Sequence, residues 1–220
     1  MEYGRVVLDQ AEVEGERVRL RPIAVEDARA CFDAVHRVAA ITDWISWDGP
    51  ENVEELEESY SQWHREPEEM DHYVFAIIER ATGAWAGSIG VRHKRELPLA
   101  SVGYFVGVEF QGRGLGSEAV RLATELGFRE LGVLLMRADT FEGNQSSARV
   151  LEKAGYRPDG GEARIFEKNG VDRAMQRYSV SRAAWESAPA CEIAWATRVR
   201  PESERTVSDT NQSVSPALRA

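Results

Sequence analysis

Polar and apolar residues alternate through Arg17-Val18-Arg19-Leu20-Arg21-Pro22, the period-two mark of a half-buried strand. From Ala28 the period changes. Ala28, Cys31, Phe32, Val35, Val38 and Ala39 recur at helical spacing and predict a helix with one buried face. Trp44, Trp47, Gly49 and Pro50 form an aromatic loop, and residues 52–66 predict a second helix with a strongly acidic outer face. Two strands follow near 73–80 and 85–93, turned by Ala81-Thr82-Gly83. An apolar strand over 102–108 runs into a glycine-studded turn and then a helix that buries Leu115, Ala119, Leu122, Ala123 and Leu126. A short apolar strand is expected over 131–138. Asn144 caps a further helix, which Gly155 ends. Strands over 156–166 and 174–180 close the pattern, with Asn169-Gly170 between them as a hairpin signal. Strands in a run, with helices among the middle ones, make the class mixed α/β (α+β). No internal repeat is present.

Composition narrows the possibilities. The 220 residues are 43% hydrophobic, enough for one domain with a full core plus a tail. A net charge of −10 argues against nucleic-acid binding through a basic surface and favours attraction of cations. Two cysteines, Cys31 and Cys191, suggest no disulfide framework, and no metal is expected. The N-terminus opens no signal peptide, and no apolar run approaches the roughly 20 residues of a membrane span, so a cytoplasmic protein without membrane association is expected. After Arg182 the composition shifts towards Ala, Ser, Thr, Glu and Arg. This sets a boundary near 182 and an extension over 183–220 that is largely disordered, in which the weak alternation of 191–199 reads as an edge strand or as a loose tail.

The turn reads Gln111-Gly112-Arg113-Gly114-Leu115-Gly116-Ser117. Its glycines bare backbone N–H groups where a helix begins, and a helix start already carries unpartnered N–H groups and about half a positive charge. Such a place binds phosphate. A nucleotide-hydrolysing P-loop needs a lysine that is absent here. A dinucleotide fold needs Gly-x-Gly-x-x-Gly early in a βαβ unit, whereas this Gly-x-Gly-x-Gly lies mid-chain after several strands. The diphosphate of coenzyme A and a purely structural turn remain.

Four segments, in order, resemble the GNAT (general N-acetyltransferase) superfamily. Gln111-x-x-Gly114-x-Gly116 is similar to its acetyl-CoA loop, and Asn144-x-x-Ser147 followed by Val150 to Tyr156 is similar to its next motif. The Asn-x-x-Ser form resembles the branch that acetylates ribosomal protein N-termini. Arg19-Leu20-Arg21-Pro22 with Asp27 resembles that branch's opening, and Gly170-x-Asp172 with Tyr178 resembles its last hairpin. The resemblance covers residues 16–182. It implies a mixed central sheet splayed in the middle and flanked by helices, with the acetyl-pantetheine arm lying in the splay against Phe105, Val106 and Val108. It places the diphosphate on Arg113, Gly114, Leu115 and Gly116, with Gln111, Gly112 and Ser117 alongside. Asn144 holds the arm, caps the helix, or does both. Arg113, Arg149 and Lys153 either supply positive charge or are ordinary solvated residues. Homodimers are common in the family.

Transfer of an acetyl group to an amine needs a neutral amine, oxyanion donors and a proton for the leaving thiolate. Backbone N–H groups near Val106 are candidate oxyanion donors. The tyrosine that many members use as acid corresponds to Leu151 here, so Ser147 becomes the candidate acid, against a bland role as a first-turn hydroxyl. The base positions of the family correspond to Ser101 and Phe166. His93 is a weak candidate base, and Tyr104 a weaker one. An α-amine with pKa about 7.8 is roughly a quarter neutral near pH 7.4, whereas a lysine near 10.4 is neutral about 0.1% of the time, so a peptide N-terminus or a small amine asks little of a base. Trp44, Trp47 and Tyr104 are candidates for the acceptor side, with core packing as the other reading of the tryptophans. The acidic runs 51–58 and 66–71 either draw in a cationic substrate or are solvated faces. The expected function is therefore N-acetyl transfer from acetyl-CoA to a primary amine of a peptide or small molecule. The competing expectation is an acyl-CoA-binding sensor or scaffold with the same fold.

Overall fold

The computed structural model describes residues 8, 11–62, 70–94, 96–161, 163–188 and 198–199. Its strands are β1 (Ala11–Glu14), β2 (Val18–Pro22), β3 (Met70–Glu79), β4 (Trp85–Lys94), β5 (Leu99–Val106), β6 (Leu135–Phe141), β7 (Arg157–Pro158), β8 (Arg164–Lys168), β9 (Val171–Ser181) and β10 (Arg198–Val199). Its helices are α1 (Ala28–Val35), α2 (Ala39–Thr42), α3 (Val53–Gln62), α4 (Leu115–Arg129), α5 (Gln145–Lys153) and α6 (Arg182–Ser187). One sheet runs in the order β10-β1-β2-β3-β4-β5-β6-β9-β7, with β8 on β9. Every pairing is antiparallel except that of β5 with β6.

That exception makes the site. β5 and β6 pair only at Leu99–Leu135, Ala100–Met136 and Ser101–Arg137. Beyond Ser101 the two strands part. On its other side β5 stays paired with β4 as far as Val106–Gly87. The Gly107 N–H bonds the Ala86 carbonyl at 2.9 Å, which makes Val106–Gly87 a non-hydrogen-bonded pair of the ladder. By the same alternation, the N–H and C=O groups of Tyr104 and Val106 face the gap.

Two apolar clusters, one on each face, hold the sheet. The larger joins Phe75, Ile89, Val91 and Val102 to the buried stripe of α4, and it contains every α4 residue the periodicity picked out. Each leucine of that stripe contributes on the order of 1.5–3 kcal/mol by leaving water, enough to fix α4, and hence the turn before it, against β5. The smaller cluster gathers Ile23, Cys31, Val35, Ile41, Leu56 and Tyr60 beneath α1–α3. Cys31 is a buried packing residue whose thiol is pushed up to about 11, mainly by burial. The buried Asp27 takes two 2.7 Å bonds from Arg21 and one from the Ala24 N–H, tying β2 to the start of α1.

Several boundaries differ from expectation. The first helix ends at Val35, because Arg37 takes a left-handed conformation (φ 55°) and the chain restarts as α2. The third central strand spans Leu99–Val106, so Val108 falls in a 3-10 turn. The 131–138 run buries Leu131 and Val133 in the connection, and β6 begins only at Leu135. Apolar content there marks burial and not strand. The stretch 156–166 is interrupted, giving β7 and β8. Asn169 and Gly170, with φ of 53° and 73°, turn β8 into β9 as the dipeptide predicts.

Elements also lie outside residues 16–182. β1 precedes them. α6 follows, capped by Ser181, with Trp185 packed on Phe128 and its indole N–H bonded to Glu125, so the extension opens with a short helix. Arg198 and Val199 pair with β1 as an edge strand. Cys191, residues 201–220 and the acidic residues Glu66, Glu68 and Glu69 lie outside the described residues. No helix among the described residues is long and apolar enough to cross a membrane.

Candidate active site

A cleft of about 980 Å³ runs from the glycine turn, through the gap between β5 and β6, to the aromatic loop. At one end stand Gly112, Gly114, Leu115, Gly116 and Ser117. Gly112 and Gly114 have φ of 73° and 82°, left-handed conformations that a side chain would strain. The N–H groups of residues 112–117 donate to no acceptor among the described residues. Gly116 opens α4 against Val106 and Val150, where an added Cβ would make ordinary contact at 3.4 and 3.7 Å. Arg149 and Lys153 line this end and give it positive charge against the acidic whole.

The middle of the cleft is built by α5. The Asn144 side-chain oxygen accepts the Ser147 N–H at 3.0 Å and caps the helix. This sets the Ser147 hydroxyl opposite β5, where the Tyr104 hydroxyl lies 3.0 Å away. Burial pushes the Tyr104 phenol up to about 12, a rise the bond to Ser147 moderates, so it is protonated at neutral pH. Thr140 of β6 lines the same gap. It is 5% exposed, and its hydroxyl has no hydrogen-bond partner among the described residues. A buried unmet hydroxyl costs about 1–3 kcal/mol, and a polar chain laid in the gap would satisfy it.

At the far end Trp44 and Trp47 line the cleft with Ile41, Leu56 and Met175. Both tryptophans are more than a third exposed (38% and 36%), so they form a wall and not core. Glu55, His72 and Arg92 are charged or titratable side chains among the cleft lining at this end. Burial first, and the charge of Arg92 across the strand pair second, together lower His72 to about 4, so its imidazole is neutral near pH 7. Asp139 borders the cleft as well. Burial raises its carboxyl, but bonds from Arg177 and Arg164 outweigh that and hold it below the usual carboxylate range.

Most of the candidate residues thus meet in one cleft: Tyr104, Phe105, Val106, Gln111, Gly112, Gly114, Leu115, Gly116, Ser117, Asn144, Ser147, Lys153, Trp44 and Trp47. Gln111 points its amide at the Val106 carbonyl, 3.0 Å away, and so caps the end of β5. Three candidates do not join them. His93 lies on the opposite face from the cleft-lining Arg92, because successive strand residues alternate, and its ring sits 3.3 Å from the Leu97 carbonyl. Val108 is half exposed in the 3-10 turn, past the end of the strand. Arg113 keeps its backbone in the turn but sends its guanidinium to the buried Glu79 and over the Phe110 ring. Thr140 and His72 are cleft residues the pattern missed. A strand begun at Tyr73 stops one residue short of His72, whose signal is its period-two relation to Val74.

A model of the acetyltransferase (GNAT) domain matches residues 17–157. This chain belongs to the GNAT acetyltransferase family. It is 27% identical over 164 residues to "Probable N-acetyltransferase YjcK" of Bacillus subtilis, covering 72% of this chain and 91% of that protein. It is 25% identical over 163 residues to the spermidine N(1)-acetyltransferase of Escherichia coli, covering 74% and 85%. Among solved structures, Mycobacterium smegmatis RimJ in complex with CoA-disulfide superposes with a TM-score of 0.71 at 21% identity, covering 82% of this chain and 93% of that one. For this GNAT acetyltransferase the antiparallel sheet with one splayed parallel pair is the family's fold. Among its described residues no group of three His, Cys, Asp or Glu is placed to hold a metal ion.

Proposed function

We propose that this acetyltransferase moves the acetyl group of acetyl-CoA to a primary amine of a peptide N-terminus or small molecule. One observation carries the reading. The unpaired amides of the glycine turn, the open edge of β5 and the Tyr104–Ser147 hydroxyl pair line one continuous cleft. The N-acetyltransferase and spermidine acetyltransferase relatives and the CoA-disulfide bound by RimJ support it.

The co-substrate supplies a thioester, an acyl group activated towards amines. The N–H groups of residues 112–117, with the start of α4 behind them, hold its diphosphate. Arg149 and Lys153 add positive charge. The backbone of Tyr104 and Val106 and the hydroxyl of Thr140 bind the polar arm in the gap. The Val106 N–H faces the place where the carbonyl oxygen gains charge, and one such donor is worth roughly 3 kcal/mol of barrier. Overall, one amine proton ends on the leaving sulfur. Ser147 hands its proton to the thiolate and regains one from the nitrogen of the attacking amine, and the Tyr104 hydroxyl bonds the serine oxygen as it does so. No residue in the cleft is an obvious strong base, since His72 is a weak one, and the acceptor's own fraction of free amine meets that demand. The test is thiol release from acetyl-CoA with a panel of amines. Turnover that falls at least tenfold in Ser147→Ala is expected. CoA binding without turnover on any amine would show a sensor instead.

A further inference from the structure

The acceptor end of the cleft is the least explained part of the molecule, and its wall is held in place with unusual care. Lys168 at the end of β8 has a side chain only 4% exposed, and its ammonium reaches the Trp47 carbonyl at 3.2 Å and the Asp48 carboxylate at 2.6 Å. Arg173 of β9 stacks over Trp44 at 5.1 Å and over Phe141 at 4.2 Å, and it bonds the Asp43 carbonyl. Burying a charge is costly unless it is paired, as Lys168 is, and Lys168 and the half-buried Arg173 both fasten the loop that carries the two tryptophans. A wall fixed before binding loses little freedom when a ligand arrives, so its apolar area converts efficiently into affinity.

Among the described residues, most of the charge at this end is already matched. Asp139 is already matched by Arg177 and Arg164. His72 is neutral at pH 7. Glu55 remains, its carboxylate bonded to the Glu51 N–H and to no cation among the described residues, and Arg92 stands near His72. Among the described lining residues a second ammonium on the acceptor would meet the like charge of Arg92 and no further free carboxylate. The carboxylates of Glu51, Glu54, Glu57 and Glu58 lie outside the cleft lining, where they steer any cation and select none.

Resting on the function proposed above, we infer that the acceptor is a primary amine carried on an aromatic or other large apolar body. The ring lies against Trp44 and Trp47, and the amine points along the cleft to the Tyr104–Ser147 pair. A free arylalkylamine and a peptide that begins with an aromatic residue share this chemistry.

The experiment measures kcat/KM with acetyl-CoA for 2-phenylethylamine, propylamine, spermidine and a peptide amide beginning with phenylalanine. Phenylethylamine is expected to exceed both propylamine and spermidine by roughly 30-fold or more, the scale of burying one ring. The peptide arm tells whether the ring arrives on a free amine or on a chain, and a preference for either supports the class. In Trp44→Ala/Trp47→Ala the advantage of phenylethylamine over propylamine is expected to collapse to within about threefold. If that variant fails to bind CoA by calorimetry, Trp47→Leu takes its place, with a partial collapse expected. Spermidine used better than phenylethylamine, or a ring that brings no advantage over propyl, overturns the inference while leaving the acetyltransferase reading intact. Thiol release with none of these amines, together with no heat from CoA, overturns both.

Discussion

The two ends of the cleft are built by different means. The carrier end is mostly backbone: N–H groups bared by Gly112, Gly114 and Gly116, a strand edge opened beyond Ser101, and two helix starts. The acceptor end is mostly side chain: Trp44 and Trp47 from one loop, Leu56 from α3, His72 and Arg92 from β3 and β4, and Met175 from β9. A backbone site tolerates change at most side chains but is intolerant of any side chain where a glycine is needed. A side-chain site should respond in graded fashion, each residue shifting preference among acceptors. Changes at the carrier end should therefore abolish binding, and changes at the acceptor end should redirect it.

The sharpest way to break that contrast is Gly114→Glu. The substitution forces a side chain onto φ of 82° and sets a carboxylate among the amides of the turn. CoA affinity by calorimetry should fall by more than about 100-fold, near the limit set by losing an anion's main contacts. Retained affinity would mean that the turn is only structural. Next in size is Ser147→Ala, for which kcat should drop roughly 10- to 100-fold while CoA affinity changes far less. A purely capping serine would leave kcat alone, because Asn144 supplies the cap. Tyr104→Phe should lower kcat roughly three- to tenfold, since Ser147 loses its hydroxyl partner.

At the other end, Lys168→Met should loosen the aromatic loop and raise KM for a good amine several-fold, with a smaller effect on kcat. The smallest effect concerns His72. Its folded pKa near 4 lies below the usual 6.5, so the unfolded chain binds its proton more readily. The stability it contributes is complete above about pH 6.5 and is lost as the pH falls towards 4, by up to about 1 kcal/mol per unit. Denaturant unfolding of wild type and His72→Gln at pH 7 and pH 5 should show the wild type losing more stability on acidification. Equal losses would mean that the imidazole is not desolvated.

The same contrast explains what the chain discloses before it is folded. Amides that must meet a diphosphate require glycines at set intervals and a helix directly after them, so the carrier end is written in one contiguous stretch, 111–117. Asn144 and Ser147 are legible for a similar reason, because a cap and the N–H it binds are three residues apart. The Asn169-Gly170 hairpin is likewise local. The acceptor wall has no such signature. Trp44, His72 and Met175 come together only through the fold. His93 misses the cleft by strand parity, since its neighbour Arg92 lines it and successive side chains alternate. Trp44 and Trp47 are visible as an aromatic loop, but their role as wall or core depends on Lys168 and Arg173, more than a hundred residues away.

The central claim is that the turn and the opened edge of β5 together receive the thioester carrier. A crystal structure of the protein with CoA tests it most directly. The diphosphate is expected against the N–H groups of residues 113–116, with the arm running between β5 and β6 and its sulfur beside Ser147. A carrier bound elsewhere, or one whose arm leaves the gap between the strands empty, would contradict it.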